Sequence, residues 1–204
     1  MDDSEFDAAL VTSFLQLAAT QGWPQVSVLA AARAASLPLD RARARFPARH
    51  HVLLHLGRMA DQAALAHPAP EGSPRDRLFD LLMRRVDVFQ DHREGVLALL
   101  RALPTEEPAT VALLACASQR SMGWMLDAAA MPASGLRGAL RVRGLTLVWL
   151  WTLRAWRTDP SSDLSATMAA LDIALARAEP LANWLSAAAS PAGADTTPAG
   201  EPAP

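Results

Sequence analysis

The stretch GWPQVSVLAAARAASLPLDRARARFPAR, residues 22–49, decides the fold that we expect for this chain of 204 residues. Gly22-Trp23-Pro24 ends a first helix, because Gly and Pro both interrupt a helical pattern. Ser27 is a good N-cap for a short helix over residues 28–35, and Ser36-Leu37-Pro38 is typical of a turn. The pattern therefore predicts a short helix that enters a tight turn.

A third short helix is predicted over residues 39–45, with Pro38 at or near its first position, where proline is tolerated. Phe46-Pro47 closes it. The helix in front of this unit is predicted over residues 4–21, with Ser4 as its N-cap. Its apolar side chains recur at helical spacing, at Phe6, Leu10, Phe14 and Leu17.

Longer helices follow. They are predicted over residues 48–67, 74–91, 92–103, 107–130, 135–158 and 162–186, and the Pro-rich segment 67–74 is a linker. The last helix carries Leu164, Met168, Leu171 and Leu175 on one side. Residues 187–204 have too little apolar bulk to pack, so we expect a disordered tail. The chain is predicted to be all-α, with about nine helices.

Composition indicates a globular protein, because 51% of the residues are apolar and 20% are charged. The single cysteine, Cys116, excludes an internal disulfide, and its apolar neighbours predict a small buried side chain. The acidic N-terminus lacks the pattern of a signal peptide, and the most apolar stretch, residues 144–156, is too short to span a bilayer. We therefore expect a cytoplasmic protein without a membrane span.

The front of the chain resembles the TetR family. The resemblance lies in Gly22-Trp23, the two-helix unit from Ser27 to Arg45, and Phe46-Pro47-Ala48-Arg49, and it covers roughly residues 5–60. It implies that the second and third helices form a helix-turn-helix unit, whose second helix enters the major groove of DNA.

The sequence departs from the family pattern inside this unit. Ser36 replaces the usual glycine of the turn, and Pro38 and Leu39 stand where polar residues are usual. Asp40 begins the segment that replaces the usual Gly-Thr-Leu-Tyr-like run, and Arg43 stands in place of a phosphate-contacting tyrosine. Arginine also binds phosphate well, so phosphate contacts are still possible in chemical terms.

The C-terminal half is similar to the TetR-fold accessory proteins of ubiquinone biosynthesis. The similarity lies in Leu153-Arg154-Ala155-Trp156, in Asp159-Pro160-Ser161-Ser162-Asp163 and in Thr167-Met168-Ala169-Ala170-Leu171-Asp172. It implies an alternative function, in which the chain binds a lipid or isoprenoid in place of DNA. Ordinary TetR regulators can carry the same terminal pattern.

Four arginines are the candidate DNA contacts: Arg41, Arg43, Arg45 and Arg49. Arg41, Arg43 and Arg45 of the third helix are spaced two residues apart, so at 100° per residue their directions spread over about 200° around the helix axis. They cannot all point into one groove. Two interpretations stay open, namely phosphate contact by some of them or a solvated basic helix.

Large apolar side chains are concentrated behind the linker and predict either a packed core or a core with a ligand pocket. The residues chosen for the pocket are Phe89, Trp124, Met125 and Trp149. Arg84 and Arg85, beside Asp87 and Asp91, are interpreted as ordinary surface charge.

No catalytic constellation is present in the sequence, and no cofactor motif is found, so we expect a protein that is not an enzyme. His50, His51 and His55 lack a third ligand at recognisable spacing, which argues against a metal site.

The sequence thus predicts a DNA-binding, helix-turn-helix-like domain over residues 1–48 and a helical ligand-binding and dimerisation domain over residues 49–186. The expected partners are DNA, a hydrophobic small molecule or lipid, and a second copy bound through the last two long helices. The predicted function is a transcriptional regulator that responds to a hydrophobic effector.

Overall fold

The structure is a computed structural model that describes residues 1–68 and 71–187, and every regular element in these ranges is helical. The nine α-helices found there are α1 (Asp3–Gln21), α2 (Val28–Ala34), α3 (Leu39–Arg45), α4 (Arg49–Leu65), α5 (Pro74–Asp91), α6 (Arg93–Glu106), α7 (Pro108–Ala128), α8 (Gly135–Thr158) and α9 (Ser165–Ala187). A 3₁₀ turn, Trp23–Gln25, joins α1 to α2. The predicted all-α class is confirmed. In the described ranges, none of the helices has the length and apolar character that crossing a membrane requires.

Helix α1 is capped by Asp2 and not by Ser4. The Asp2 carboxylate accepts a hydrogen bond from the Glu5 backbone N–H, and the Glu5 carboxylate accepts one from the Asp2 backbone N–H, both at 2.8 Å. This reciprocal capping box satisfies two backbone donors at the helix start. The predicted cap was wrong because Ser4 already lies inside the first turn.

Helix α6 crosses α1 at Gly95, where the two backbones lie in direct contact. A Cβ atom at position 95 would lie 2.5 Å from the carbonyl oxygen of Leu15 and 2.7 Å from the Leu15 Cβ. Only glycine leaves room for so close an approach. The next residues of α6, Val96 and Leu99, point inward and are buried. Helix α1 is thereby packed against a helix that also belongs to the rear half of the chain.

The turn between α8 and α9 is organised by the buried carboxylate of Asp159. This carboxylate accepts hydrogen bonds from Thr167 Oγ1 at 2.7 Å, from Thr167 N at 2.8 Å and from Ser161 N at 3.0 Å. Arg93 at the start of α6 donates to the Asp159 carbonyl at 2.7 Å. Leu164 has a left-handed φ of 56°, which stops helix propagation, so α9 begins at Ser165 and not at the predicted residue 162.

Replacing Asp159 by Asn is expected to lower the free energy of unfolding by about 2 kcal/mol near neutral pH, since an amide NH₂ would face donors that now bind a carboxylate. Burial alone would raise the pKa of Asp159, but hydrogen bonds from Ser161 and Thr167 outweigh it and lower that pKa from 3.8 to about 2. The stabilisation is therefore complete above the ordinary pKa and is lost as the pH falls toward the lowered one.

Urea unfolding over a series of acidic buffers checks this prediction. The wild type should lose stability across that window, and the Asp159→Asn variant should lose less. Asp40→Asn, at an exposed position, is the matched control and should stay within about 0.5 kcal/mol of the wild type. Equal acid sensitivity of the wild type and the Asp159 variant would contradict the assignment.

The apolar run at the start of α7 is not buried, contrary to the prediction for Cys116. Cys116 is exposed, and so are Val111 and Leu113 of the same run. The buried residues of α7 lie mainly in its second half, at Ser121, Met122, Met125 and Leu126. The prediction failed because this first half of α7 forms an outer wall with few helices packed over it.

The end of α6 predicted from sequence differs from that in the structure, and two predicted segments fall wholly or partly outside the described residues. Helix α6 continues through Pro104 to Glu106, so this proline removes one backbone hydrogen bond of the last turn without ending the helix. Ala69 and Pro70 of the predicted linker lie outside the described residues. So does the predicted tail beyond Ala187. The division into two domains at residue 48 stays a prediction; it falls between α3 and α4.

Candidate functional site

A helix-turn-helix unit is formed by α2 and α3, as predicted. Ser27 Oγ caps α2 by accepting a hydrogen bond from Ala30 N at 3.1 Å. In the turn, Ser36 has a φ of 55°, so it occupies the left-handed conformation that favours glycine. Leu37 N donates to the Ala32 carbonyl at 2.8 Å, and Leu37 and Ala42 are buried between the two helices. The turn geometry thus survives the replacement of glycine by serine.

Helix α3 exposes two arginines, Arg43 and Arg45, and Arg43 is the one of them that does not bind a carboxylate of α1. Leu39, Asp40, Arg43 and Ala44 are exposed, whereas Ala42 is buried against the molecule. Arg43 Nη1 donates to the carbonyl of Pro47, just beyond the end of α3, at 2.5 Å. The side chain stays at the surface in this contact. Arg43 is therefore the arginine of α3 that is best placed for an external partner.

Arg41 and Arg45 turn back toward acidic residues of α1. Arg45 holds the Asp7 carboxylate through Nε at 2.5 Å and Nη2 at 2.6 Å, and it reaches Asp3 at 2.8 Å. Arg41 forms an ion pair with Asp3, donates to the Asp2 carbonyl at 2.9 Å and lies 4.4 Å above the Phe6 ring. Two of the four candidate arginines are therefore neutralised by the acidic N-terminal segment.

Arg49 lies at the first position of α4 and connects three parts of the chain. Its guanidinium lies 4.3 Å above the Trp23 ring, donates to the Trp23 carbonyl at 3.3 Å and forms an ion pair with Glu107, the residue before α7. Of the four predicted DNA contacts, Arg41 and Arg45 share Asp3 as an ion-pair partner, and Arg43 and Arg49 together line a second, smaller cavity of about 290 Å³. Arg43 and Arg49 lie apart from that pair.

A cavity of about 550 Å³ lies behind the helix-turn-helix unit, between α4, α5, α6, α7 and α8. Its wall is mainly apolar, with leucines from four of these helices: Leu53, Leu54, Leu56, Leu99, Leu100, Leu103, Leu114, Leu150 and Leu153. Lining residues that stay exposed, such as Trp124 and Arg120, mark its opening. Size and lining are those of a site for a small apolar ligand.

Arg85 and Asp61, both in the cavity wall, form an ion pair. Arg85 is only 2% exposed, and its guanidinium lies 4.8 Å from the centre of the Trp149 ring. Asp61 also accepts a hydrogen bond from Ser121 Oγ at 2.6 Å. Burial lowers the pKa of Arg85 to about 10, which still leaves the side chain protonated at neutral pH.

Sequence reasoning missed this ion pair and placed Arg85 on the surface, which was wrong. The available signal was its spacing: position 85 lies seven residues after Leu78 and four after Leu81, on the buried side of α5. Asp61 and Ser121 come from α4 and α7, so only the tertiary fold shows that they meet Arg85.

Three of the four residues predicted for the pocket line the cavity, namely Phe89, Trp124 and Trp149. Phe89 and Trp149 are in contact, with ring centroids 5.8 Å apart. Met125 is completely buried in the core and is not part of the lining. Successive residues of one helix face different directions, so Trp124 and Met125 separate as soon as α7 is in place.

The histidines at the start of α4 are used for packing. The rings of His50 and His51 are in contact with centroids 4.2 Å apart and planes tilted by 32°, whereas His55 contacts the Phe46 ring edge-on and lies 3.6 Å from Asp7. Burial lowers the pKa of His55, although Asp7 acts in the opposite direction. Among the residues that the structure describes, no cluster of three metal-ligating side chains occurs.

Comparison with known proteins places the fold among solved TetR structures. The TetR transcriptional regulator from Nitrosomonas europaea ATCC 19718 is 22% identical with a TM-score of 0.70, over 88% of this chain and 99% of that one. A TetR transcriptional regulator from Rhodococcus sp. RHA1 is 16% identical with a TM-score of 0.56, over 85% of this chain and 98% of that one.

No protein-family profile matches the sequence, and no curated protein is significantly similar to it. At these identities the likeness to solved structures establishes the TetR fold. The similarity of the last two helices to accessory proteins of ubiquinone biosynthesis stays a prediction.

Proposed function

We propose that this protein is a transcriptional regulator that binds DNA as a homodimer and responds to a hydrophobic small molecule. Residues 1–48 contact DNA in this proposal, and residues 49–186 bind the effector and the second copy. The observation that carries the proposal is the position of α4. This helix begins directly after the helix-turn-helix unit, and its residues Leu53, Leu56 and Asp61 form part of the cavity wall.

Because one helix belongs to both sites, a ligand that favours another position of α4 also changes the position of α2 and α3. The ion pair between Arg49 and Glu107 supports this connection. It joins the first residue of α4 to the start of α7, and α7 supplies a second wall of the cavity. Helices α4 and α7 therefore connect the cavity to the helix-turn-helix unit, so a ligand in the cavity can change the position of that unit.

The dimer is proposed to form through α8 and α9, as the sequence suggested. Helix α8 exposes large apolar side chains that recur on one side, at Leu136, Leu140, Leu147 and Trp151, and α9 exposes Ile173. Exposed apolar side chains on one side of two long helices are typical of a protein–protein interface. A two-fold symmetric pairing of these helices would bury them in a four-helix bundle.

For DNA contact, Arg43 is the first choice among the four predicted arginines. It lies on the outward side of α3, whereas Arg41, Arg45 and Arg49 contribute only after exchanging their carboxylate partners for phosphates. Leu39 and Asp40 are exposed on the same side. The expected complex therefore has few phosphate contacts from each recognition helix.

The chain is expected to bind a duplex taken from upstream of its own gene, with an affinity that falls steeply as salt rises. Replacing Arg43 by Gln is expected to weaken binding by about tenfold and to reduce the salt slope by about 1 for each copy bound. Fluorescence anisotropy over a salt series gives both quantities, and native mass spectrometry of the complex should show two copies for each duplex.

Arg101→Gln is the matched control, because Arg101 is exposed on α6, away from the helix-turn-helix unit. It should leave the affinity and the slope unchanged. Absence of duplex binding at low salt would overturn the proposed regulator. A salt slope that does not change in Arg43→Gln would overturn the assignment of Arg43.

A second candidate function is that of a lipid-binding protein with the same fold that does not bind DNA. The observation in its favour is that Arg41, Arg45 and Arg49 already bind Asp3, Asp7 and Glu107. In that case mass spectrometry of the denatured preparation should show a co-purified lipid while the duplex experiment stays negative. A preparation free of lipid would contradict this candidate.

A further inference from the structure

The cavity lining contains more positively charged than negatively charged side chains. Three arginines, Arg58, Arg85 and Arg120, face one carboxylate, that of Asp61. Arg58 and Arg120 are exposed near the opening, whereas Arg85 is 2% exposed and lies inside. A buried cation in a mainly apolar wall is costly, and Asp61 is the one carboxylate that the lining offers against these three arginines.

Four buried polar atoms of the lining residues have no hydrogen-bond partner among the described residues. Asp61 Oδ1 and Arg85 Nη1 meet each other in the ion pair, which leaves Arg85 Nε and Ser118 Oγ. Buried donors are nearly always satisfied in folded proteins, so an unsatisfied donor in a residue of the cavity wall indicates a missing partner. Both groups can donate a hydrogen bond, and the arginine also carries a full positive charge.

The acidic group of the wall is already engaged. Asp61 forms the ion pair with Arg85 and accepts a hydrogen bond from Ser121 Oγ at 2.6 Å. A cationic ligand would therefore have to compete with Arg85 for this carboxylate. An anionic ligand instead has the unpartnered Nε–H of Arg85 and the Ser118 hydroxyl as donors, and the Arg85 guanidinium lies 4.8 Å from the centre of the Trp149 ring.

We propose that the cavity binds an amphiphile with one acidic head group and an apolar chain, the head being held by Arg85 and Ser118. The leucines of α6 and α7 contact the chain, and Arg58 and Arg120 attract the anion toward the opening. This proposal rests on the assignment of the cavity as the effector site, and it adds the charge and shape of the effector.

The test uses three ligands that share one apolar chain and differ in their head group: dodecanoate, dodecanol and dodecyltrimethylammonium. Each is titrated calorimetrically into the full chain, below the concentration at which it forms micelles. Dodecanoate is expected to bind at least about tenfold more tightly than dodecanol, and the cation is expected to bind most weakly. Equal binding of acid and alcohol, tighter binding of the cation, or no binding of any of the three would overturn the proposal.

Asp61→Asn supplies a test that loss of folding cannot imitate. Removing the carboxylate that competes for Arg85 should raise the affinity for dodecanoate by about tenfold and leave that for dodecanol unchanged. Arg101→Gln, an exposed arginine of α6 that does not line the cavity, is the matched control and should change either affinity by less than about twofold. Weaker or unchanged dodecanoate binding in Asp61→Asn would overturn the proposal.

The double variant Asp61→Asn/Arg85→Met removes both members of the ion pair and leaves no buried charge in the wall; the exposed Arg58 and Arg120 remain. It should bind dodecanoate and dodecanol equally, and retained preference for the acid would overturn the role of Arg85. These measurements need no DNA. A protein that binds dodecanoate but no duplex would refute the regulator and support the cavity assignment. A protein that binds a duplex but not dodecanoate would support the regulator and refute the cavity assignment.

Discussion

Replacing Gly95 by Ala is expected to lower the free energy of unfolding by about 3 kcal/mol, one of the two largest effects that we predict. The added Cβ would lie 2.5 Å from the carbonyl oxygen of Leu15, which is backbone and cannot rotate away. Helices α1 and α6 would have to separate, and the fully buried Phe14 and Leu10 of α1 would lose part of their packing. Urea unfolding followed by circular dichroism measures the effect.

Gly144→Ala is the matched control. Gly144 lies inside α8, and apart from its chain neighbours and the adjacent backbone of its own helix no atom lies within 4 Å of the position of an added Cβ. Alanine is the better helix former, so this variant should be more stable than the wild type by about 0.5–1 kcal/mol. If both variants gained stability, the close contact between α1 and α6 would be refuted.

Replacing Arg45 by Ala is expected to destabilise the protein by about 3 kcal/mol, because it leaves the Asp7 carboxylate buried without its cation. The Asp7 side chain is 6% exposed and accepts two hydrogen bonds from Arg45. Asp7→Ala should cost less, about 1 kcal/mol, since the Arg45 side chain is 32% exposed and can turn to water. This asymmetry identifies Arg45 as a residue that fixes α3 on α1.

The control is Arg43→Ala, which removes an exposed arginine of the same helix and should stay within about 0.5 kcal/mol of the wild type. Chemical denaturation of the two single variants and of the double variant Asp7→Ala/Arg45→Ala gives the coupling energy of the pair. Equal stability of Arg45→Ala and Arg43→Ala would show that the ion pair does not hold α3.

The helices were predictable because their signals are local. Pro74 after Ser73 marked the start of α5, and the apolar spacing along α8 gave its limits at Gly135 and Thr158. The errors arose where a longer-range contact decided the outcome. The turn before α9 is set by Asp159, whose partner Thr167 lies eight residues further along the chain.

The site was less predictable than the fold for the same reason. The sequence indicated a basic patch, but it could not show that Asp3 and Asp7 lie opposite Arg41 and Arg45. It indicated Trp149 as a pocket residue, but the charged group beside it, Arg85, was read as surface. Pairing between distant helices decides both cases, and one sequence contains no local signal for it.

The exposed Cys116 offers an attachment point for an optical probe. It is the only cysteine in the sequence, so a thiol-reactive fluorophore would label the chain at one defined position. Its neighbours Ala115 and Ala117 both line the cavity. A dye at this position would lie beside the cavity wall, so its emission is expected to change when a ligand fills the cavity and would follow occupancy in real time.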